Sequence, residues 1–126
     1  MKKYKISERY VRNFWSRLYE DFIPINLRGL NFNNSESIDR IVNEHLLPEL
    51  NATPISNRIR TKNSLKYSIN FWDEHKLEYE YEGMSPAIPS TFSYREFYIY
   101  VWNQLYPNES YIIDDISLYI DIGYDG

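Results

Sequence analysis

The sequence predicts one α+β domain. It should hold two N-terminal helices, an antiparallel hairpin, a third helix and one or two C-terminal strands. The helices are expected to cover one face of a small, mainly antiparallel sheet. Three patterns carry this prediction. Apolar residues recur at spacings of three and four before Pro48, and again around Val101. Apolar and polar residues alternate strictly over 65–71 and 77–82, and alternation returns at 116–122.

In chain order, Ser7 can N-cap a first helix over about 8–22, whose apolar stripe is Val11, Phe14, Trp15, Leu18 and Phe22. Arg9, Arg12, Arg17 and Glu20 fill much of the other side, and Pro24 stops the helix. Asn31-Phe32-Asn33-Asn34 reads as a turn. A second helix starts near Ser35 or Ser37, with Ile38, Ile41, Val42 and His45 or Leu46 on its apolar side and Leu50 beyond. Pro48 should end or kink it. Residues 51–63 look irregular, and Arg58, Arg60 and Lys62 would share a basic face there if the segment is extended.

The hairpin follows from the alternation. Leu65, Tyr67, Ile69 and Phe71 would face one way, as would Leu77, Tyr79 and Tyr81. A three-residue loop, Asp73-Glu74-His75, sets Phe71 opposite Leu77, Ile69 opposite Tyr79 and Tyr67 opposite Tyr81. A two-residue loop would set apolar against polar throughout, and a slip of one residue inverts every side chain. A five-residue loop keeps the same pairing. Residues 83–91 read as loop. Ser93 and Glu96 form a capping box for a third helix over about 94–105, with Phe92 and Phe97 as its hydrophobic staple. Phe97, Val101 and Leu105 form its stripe, widened by Tyr98 and Trp102. The C-terminal strand material is Tyr111-Ile112-Ile113 and Ile116, Leu118, Ile120 and Ile122.

Composition bounds the class. A chain of 126 residues is one domain in length and can bury roughly two thirds of its unfolded surface. Cysteine is absent, which excludes disulfides, thiolate catalysis and cysteine-bound zinc. The basic start at Lys2, Lys3 and Lys5 runs into Ser7-Glu8-Arg9, not into an apolar stretch, so no secretory signal is expected. No apolar run could span a membrane. A cytoplasmic location is the expectation, and the three Asn-x-Ser/Thr triplets at Asn33, Asn51 and Asn108 are read as chance matches.

Positive groups concentrate early and negative ones late. Residues 1–63 carry 11 Lys/Arg against 7 Asp/Glu, a balance of +4, and residues 64–126 carry 3 against 11, a balance of −8. Such asymmetry points to charged partners, or to charges that mix on one folded surface.

Motifs for catalysis are missing. No Gly-x-Ser-x-Gly turn occurs, and Gly29, Gly83, Gly123 and Gly126 are too scattered for a phosphate loop or dinucleotide fingerprint. His45 has Glu49 one helical turn on and Glu44 beside it, but the His-Glu-x-x-His pattern is absent. His75 reads as a solvated turn residue. A nuclease could use His45 with Arg58 and Arg60, yet an acidic chain disfavours nucleic acid, whose affinity comes from neutralised phosphates. No metal, cofactor or enzymatic activity is expected.

The late carboxylates are the most distinctive feature. On a strand Glu78, Glu80 and Glu82 share one face, Asp73 and Glu74 extend it at the loop, and Asp114, Asp115 and Asp121 would lie on a neighbouring strand. Like charges in a ladder are mildly destabilising. Edge protection or a solvated face would explain them, and so would a surface for a cationic partner. Thirteen tyrosines point towards an interface, with Tyr94, Tyr100, Tyr119 and Tyr124 off the apolar stripes. An AT-rich coding sequence would give the same bias. The expected contact residues are Trp72, Asp73, Glu74, Glu78, Glu80, Glu82, Asp114, Asp115, Tyr119 and Asp121.

A short, acidic, aromatic-rich chain without a catalytic motif resembles the immunity proteins of bacterial toxin–immunity pairs. The resemblance lies in overall character and carries no residue over by position. It implies an acidic face that covers a basic, nuclease-like toxin, with charge complementarity speeding association. Phage inhibitors that imitate nucleic acid share this character. The readings from other classes are a small nuclease-like enzyme and a non-catalytic assembly subunit.

Overall fold

The computed structural model describes residues 3–19, 22–27, 30, 35–84, 86 and 93–123. These residues are mostly helical. The elements in order are β1 (Tyr4–Ile6), α1 (Glu8–Trp15), α2 (Ser35–Ile41), α3 (Leu47–Asn51), α4 (Ile55–Phe71), α5 (Glu74–Glu82), α6 (Tyr94–Leu105) and β2 (Tyr119–Asp121). The expected turn at Asn31–Asn34, the Phe92 end of the staple, Tyr124 and most of the 83–91 loop lie outside the described residues.

Helix α1 begins where Ser7 accepts the backbone N–H of Arg9, as expected for an N-cap. It ends earlier than expected, tightening into a 3₁₀ turn at Ser16–Leu18. Helices α2 and α3 run together through Pro48. Its ring lacks an N–H and would crowd the carbonyl of Glu44 in a regular helix. A π turn at Val42–Leu46, in which the N–H of Leu47 bonds to Val42 O, widens the helix just before the proline. The chain therefore passes Pro48 and stops at Asn51.

The antiparallel hairpin does not form. Residues 65–71 complete the long helix α4, and 77–82 lie within α5. The period-two alternation misled because the buried face of α4 is partly hydroxylic. Thr61, Ser64, Leu65, Ser68 and Ile69 are its buried residues, at the spacing of a helix. Ser68 satisfies its own hydroxyl by donating to Leu65 O at 2.7 Å. Half-buried Tyr67 and exposed Phe71 instead pair with each other beside that face, with ring centroids 4.9 Å apart. In α5 the buried set is Leu77, Glu80 and Tyr81, whereas Tyr79 is 61% exposed. Asp73, expected in a hairpin loop, N-caps α5 by accepting Lys76 N–H at 2.8 Å.

The described sheet has two strands, and they are parallel. Tyr4 pairs with Tyr119, Lys5 with Ile120 and Ile6 with Asp121. The N-terminal strand was not anticipated, and of the C-terminal alternation only Tyr119–Asp121 is strand, preceded by a 3₁₀ turn at Ile116–Leu118. Tyr111–Ile113 is no strand. Asn70 holds that segment onto α4 by donating to Tyr111 O at 2.7 Å and accepting Ile113 N–H at 3.2 Å. Ser7 ties the two chain ends together. Its N–H donates to Ser64 Oγ at 3.0 Å and its hydroxyl donates to Gly123 O at 2.6 Å, at a glycine with φ of 75°.

Helix α6 matches expectation, spanning Tyr94–Leu105 with Phe97, Tyr98, Val101, Trp102 and Leu105 all buried. Its cap is the Ser93 hydroxyl, which accepts Glu96 N–H at 3.1 Å. At the core's centre Trp15 meets Phe14, Tyr81, Phe97 and Tyr98 with centroid separations of 4.8, 5.1, 5.1 and 4.9 Å. The result is a helical domain with a minor parallel sheet that clips its ends together.

Candidate functional site

Three carboxylates line the outside of α5. Glu74, Glu78 and Glu82 are four residues apart, so they stack on one face of the helix, and all three are exposed. Two of them also hold α6 in place. The Glu74 carboxylate accepts the backbone N–H groups of Tyr94 and Arg95 at the start of α6, and Glu82 accepts the Tyr94 hydroxyl at 2.8 Å. Arg95 in turn donates to Ile69 O and Trp72 O at the end of α4. The Tyr94 hydroxyl is pushed up to about 12 by burial first, then by its bond to Glu82 and the charges of Glu82, Glu78 and Glu74. One tyrosine thus senses all three carboxylates. Exposed Tyr79 stands on the same helix, with the Arg12 guanidinium 6.0 Å from its ring centre.

Glu80 does not share this face. Two residues along a helix is a turn of about 200°, so Glu80 points inward where a strand would have aligned it with Glu78 and Glu82. It is 1% exposed and receives Arg12 through two bonds, Nε to Oε2 at 2.8 Å and Nη2 to Oε1 at 2.7 Å. Trp72 is also buried, at 6% exposure, under Lys76 Nζ at 4.7 Å from its ring centre. Neither side chain is offered to a partner.

The remaining expected residues are divided. Asp115 accepts the N–H and the hydroxyl of Ser117 at 3.0 and 2.6 Å, which hold its carboxyl below the ordinary range. Asp114 is exposed next to it. Asp121 lies on β2 and accepts Gly123 N–H at 2.9 Å. Tyr119 is half-buried against Tyr4, at 5.3 Å between centroids, and its hydroxyl is raised mainly by burial. The acidic sheet face expected from the sequence is therefore replaced by a helical stripe on α5 and separate carboxylates in the C-terminal segment. The stripe was legible as the 74, 78, 82 spacing. Tyr94 stood out only as a tyrosine off the apolar stripes, and its place beside Glu82 and the Arg12–Glu80 pair carried no local signal.

His45 is 4% exposed, and its Nε2 lies 2.6 Å from Arg17 O, which ties the π turn to the end of α1. His75 is exposed in the first turn of α5. Residues 55–63, expected to be irregular, belong to α4, so the basic face that an extended segment would give does not form: Arg58 and Lys62 lie one turn apart on one side of the helix and Arg60 about 200° round from Arg58. Arg60 donates to Tyr10 Oη at 3.2 Å and Lys62 pairs with Glu109. Arg58 has a buried Nε with no hydrogen-bond partner among the described residues. Among those residues no cluster of three His, Asp or Glu could hold a metal, and no helix is long and apolar enough to cross a membrane. Comparison with protein-family models, curated proteins and solved structures found no match to this chain.

Proposed function

We propose that this protein binds a basic protein partner through the outer face of α5, and that it serves as an inhibitor of the immunity-protein kind acting on a cationic, nuclease-like toxin in the cytoplasm. The observation that carries the reading is the stripe of Glu74, Glu78 and Glu82, with Tyr94 beside it and Tyr79 exposed on the same helix. Keeping three like charges in register costs stability on an isolated helix, since like charges at this spacing repel. Two of the three are put to structural use on α6, but Glu78 is not, so stability alone does not account for the set. A cationic surface would relieve the repulsion, and the tyrosines would supply contact area with a polar handle.

The stripe would steer association over about a Debye length, roughly 8 Å at physiological salt. The test is a partner captured from the native host, followed by association kinetics with two variants that spare the fold. Glu78→Lys should slow association about three- to tenfold at low salt, with the difference shrinking as salt rises. Tyr79→Ser should chiefly speed dissociation. A partner with an acidic contact surface, or an association rate indifferent to Glu78→Lys at every salt concentration, would overturn the proposal.

A further inference from the structure

A second site of opposite character lies where α1 faces α4. Arg9, Asn13 and Arg17 recur every four residues along α1 and its 3₁₀ extension, and Thr53, Asn57 and Thr61 recur every four residues along the approach to α4 and its first turns. The two helices pack against each other, so the two polar rows line one recess of about 130 Å³, completed by Tyr10. We propose that this recess binds the phosphate of a small phosphorylated molecule, with Arg9 and Arg17 as the cations and Tyr10, Asn13, Asn57 and Thr61 as neutral donors.

The donors are available. Neither Arg9 nor Arg17 forms an ion pair with a carboxylate among the described residues. Arg17 donates one N–H to Asn13 O at 2.9 Å, and among the described residues the rest of its fork has no hydrogen-bond partner. Burial pulls its guanidinium below the ordinary value, only partly offset by the charge of Glu49. Tyr10 Oη accepts from Arg60, which leaves its own proton to give. Thr61 is 7% exposed, yet it lines the recess and its hydroxyl has no hydrogen-bond partner among the described residues. A tetrahedral oxyanion would satisfy these groups together, and charge-assisted bonds of this kind are the strong ones.

The recess opens beside a larger cleft of about 530 Å³ that shares Asn13 and Arg17 with it and adds Ser16, Phe22, His45 and Glu49. The shared residues argue for an ester over a free ion. With phosphate in the polar recess, the organic part would reach the cleft, where exposed Phe22 offers a stacking face and Glu49 an acceptor for hydroxyls. Glu49 also disfavours a second phosphate there, which argues against a nucleic-acid backbone.

The experiment is an NMR titration of isotope-labelled full-length protein with inorganic phosphate, a nucleoside monophosphate and a sugar monophosphate, against chloride at matched ionic strength. Saturable shifts are expected at Arg9, Asn13, Asn57 and Thr61, and at least one ester should bind about tenfold tighter than inorganic phosphate, with shifts extending to Phe22 and His45. Arg17→Gln should weaken binding about tenfold or more. Arg9→Gln, at an exposed position, serves the same purpose if Arg17→Gln fails to fold, and Thr61→Val removes only the hydroxyl. Glu78→Lys should leave phosphate binding unchanged, which separates this site from the α5 face. Shifts no larger than those from chloride, or affinity unaltered by these variants in a folded protein, would overturn the site. Equal affinity for inorganic phosphate and both esters would overturn the assignment to a phosphorylated molecule.

Discussion

The Arg12–Glu80 pair ties α1 to α5, and Glu80→Ala tests how much the fold depends on it. Glu80 is 1% exposed and Arg12 24%, and Nε and Nη2 of the guanidinium each meet a different carboxylate oxygen, at 2.8 and 2.7 Å, the two-bond pairing that guanidinium and carboxylate favour. Removing one partner of a buried pair costs about 3–5 kcal/mol, because the other charge is left in a dry setting. Arg12 keeps a quarter of its side chain in water, so the expected cost falls to about 2–4 kcal/mol. In a domain of this size each kcal/mol is roughly 3–5 °C in Tm, which gives a fall of about 6–20 °C. Glu78→Ala, two residues away but exposed, should change stability by less than about 0.5 kcal/mol. The pair is also replaceable. Arg12→Met combined with Glu80→Leu should recover most of the loss, since apolar pairs of similar volume often match buried ion pairs. Urea unfolding of the wild type, Arg12→Met, Glu80→Leu and the double variant closes the cycle. Glu80→Ala within about 0.5 kcal/mol of wild type at an unchanged urea slope, or Glu78→Ala as costly as Glu80→Ala, would refute the helical placement of these carboxylates.

Other consequences can be checked by the same means. Ser7→Ala removes the cap on Arg9 N–H and the bond to Gly123 O, and should cost about 1–3 kcal/mol and loosen β2, read as faster amide exchange at Ile122, whose N–H bonds to Ile6 O at 3.0 Å. Ser93→Ala should cost about 0.5–2 kcal/mol, measured by urea unfolding, because its hydroxyl caps α6 by accepting Glu96 N–H. At alkaline pH the tyrosines set the limit. Burial raises Tyr81, Tyr98 and Tyr106, and Tyr94 reaches about 12, so the folded state holds these protons more tightly than the unfolded state does. Their contribution is therefore full below the unfolded value of about 10 and is lost as pH rises through the folded values. The urea midpoint should fall above about pH 10, with part of the tyrosinate absorbance appearing only as the protein unfolds. Full tyrosinate absorbance from all thirteen tyrosines before any loss of helical signal would contradict this.

What the sequence settled by itself was local. The caps at Ser7 and Ser93 and the whole of α6 rest on residues a few positions apart, whose hydrogen bonds and spacing recur wherever such residues meet. The apolar stripe of α1 from Val11 to Leu18 and the start of α2 were legible for the same reason, whereas Phe22, expected to continue the stripe, lies beyond the helix and is exposed. The segment from Ile55 to Glu82 was not, because both helices bury residues that a polarity pattern counts as outside. Ser64 and Ser68 go inside because their hydroxyls can be bonded locally or to a neighbour, as Ser68 to Leu65 O and Ser64 to the N–H of Ser7. Glu80 goes inside because Arg12, 68 residues earlier, is there to meet it. Without these partners the alternation of Leu77, Tyr79 and Tyr81 with glutamates is a fair strand, and with them it is a helix. The proposed acidic contact face depended on the same decision: period two gathers Glu78, Glu80 and Glu82, whereas the helix gathers Glu74, Glu78 and Glu82 and brings Tyr94 from the next helix beside them. The parallel pairing of the chain ends likewise joins Tyr4 to Tyr119, a contact between residues that no local pattern links. Local chemistry thus fixed where helices can start and which stripes are apolar. Long-range pairing of polar groups decided which of two periods the middle of the chain obeys.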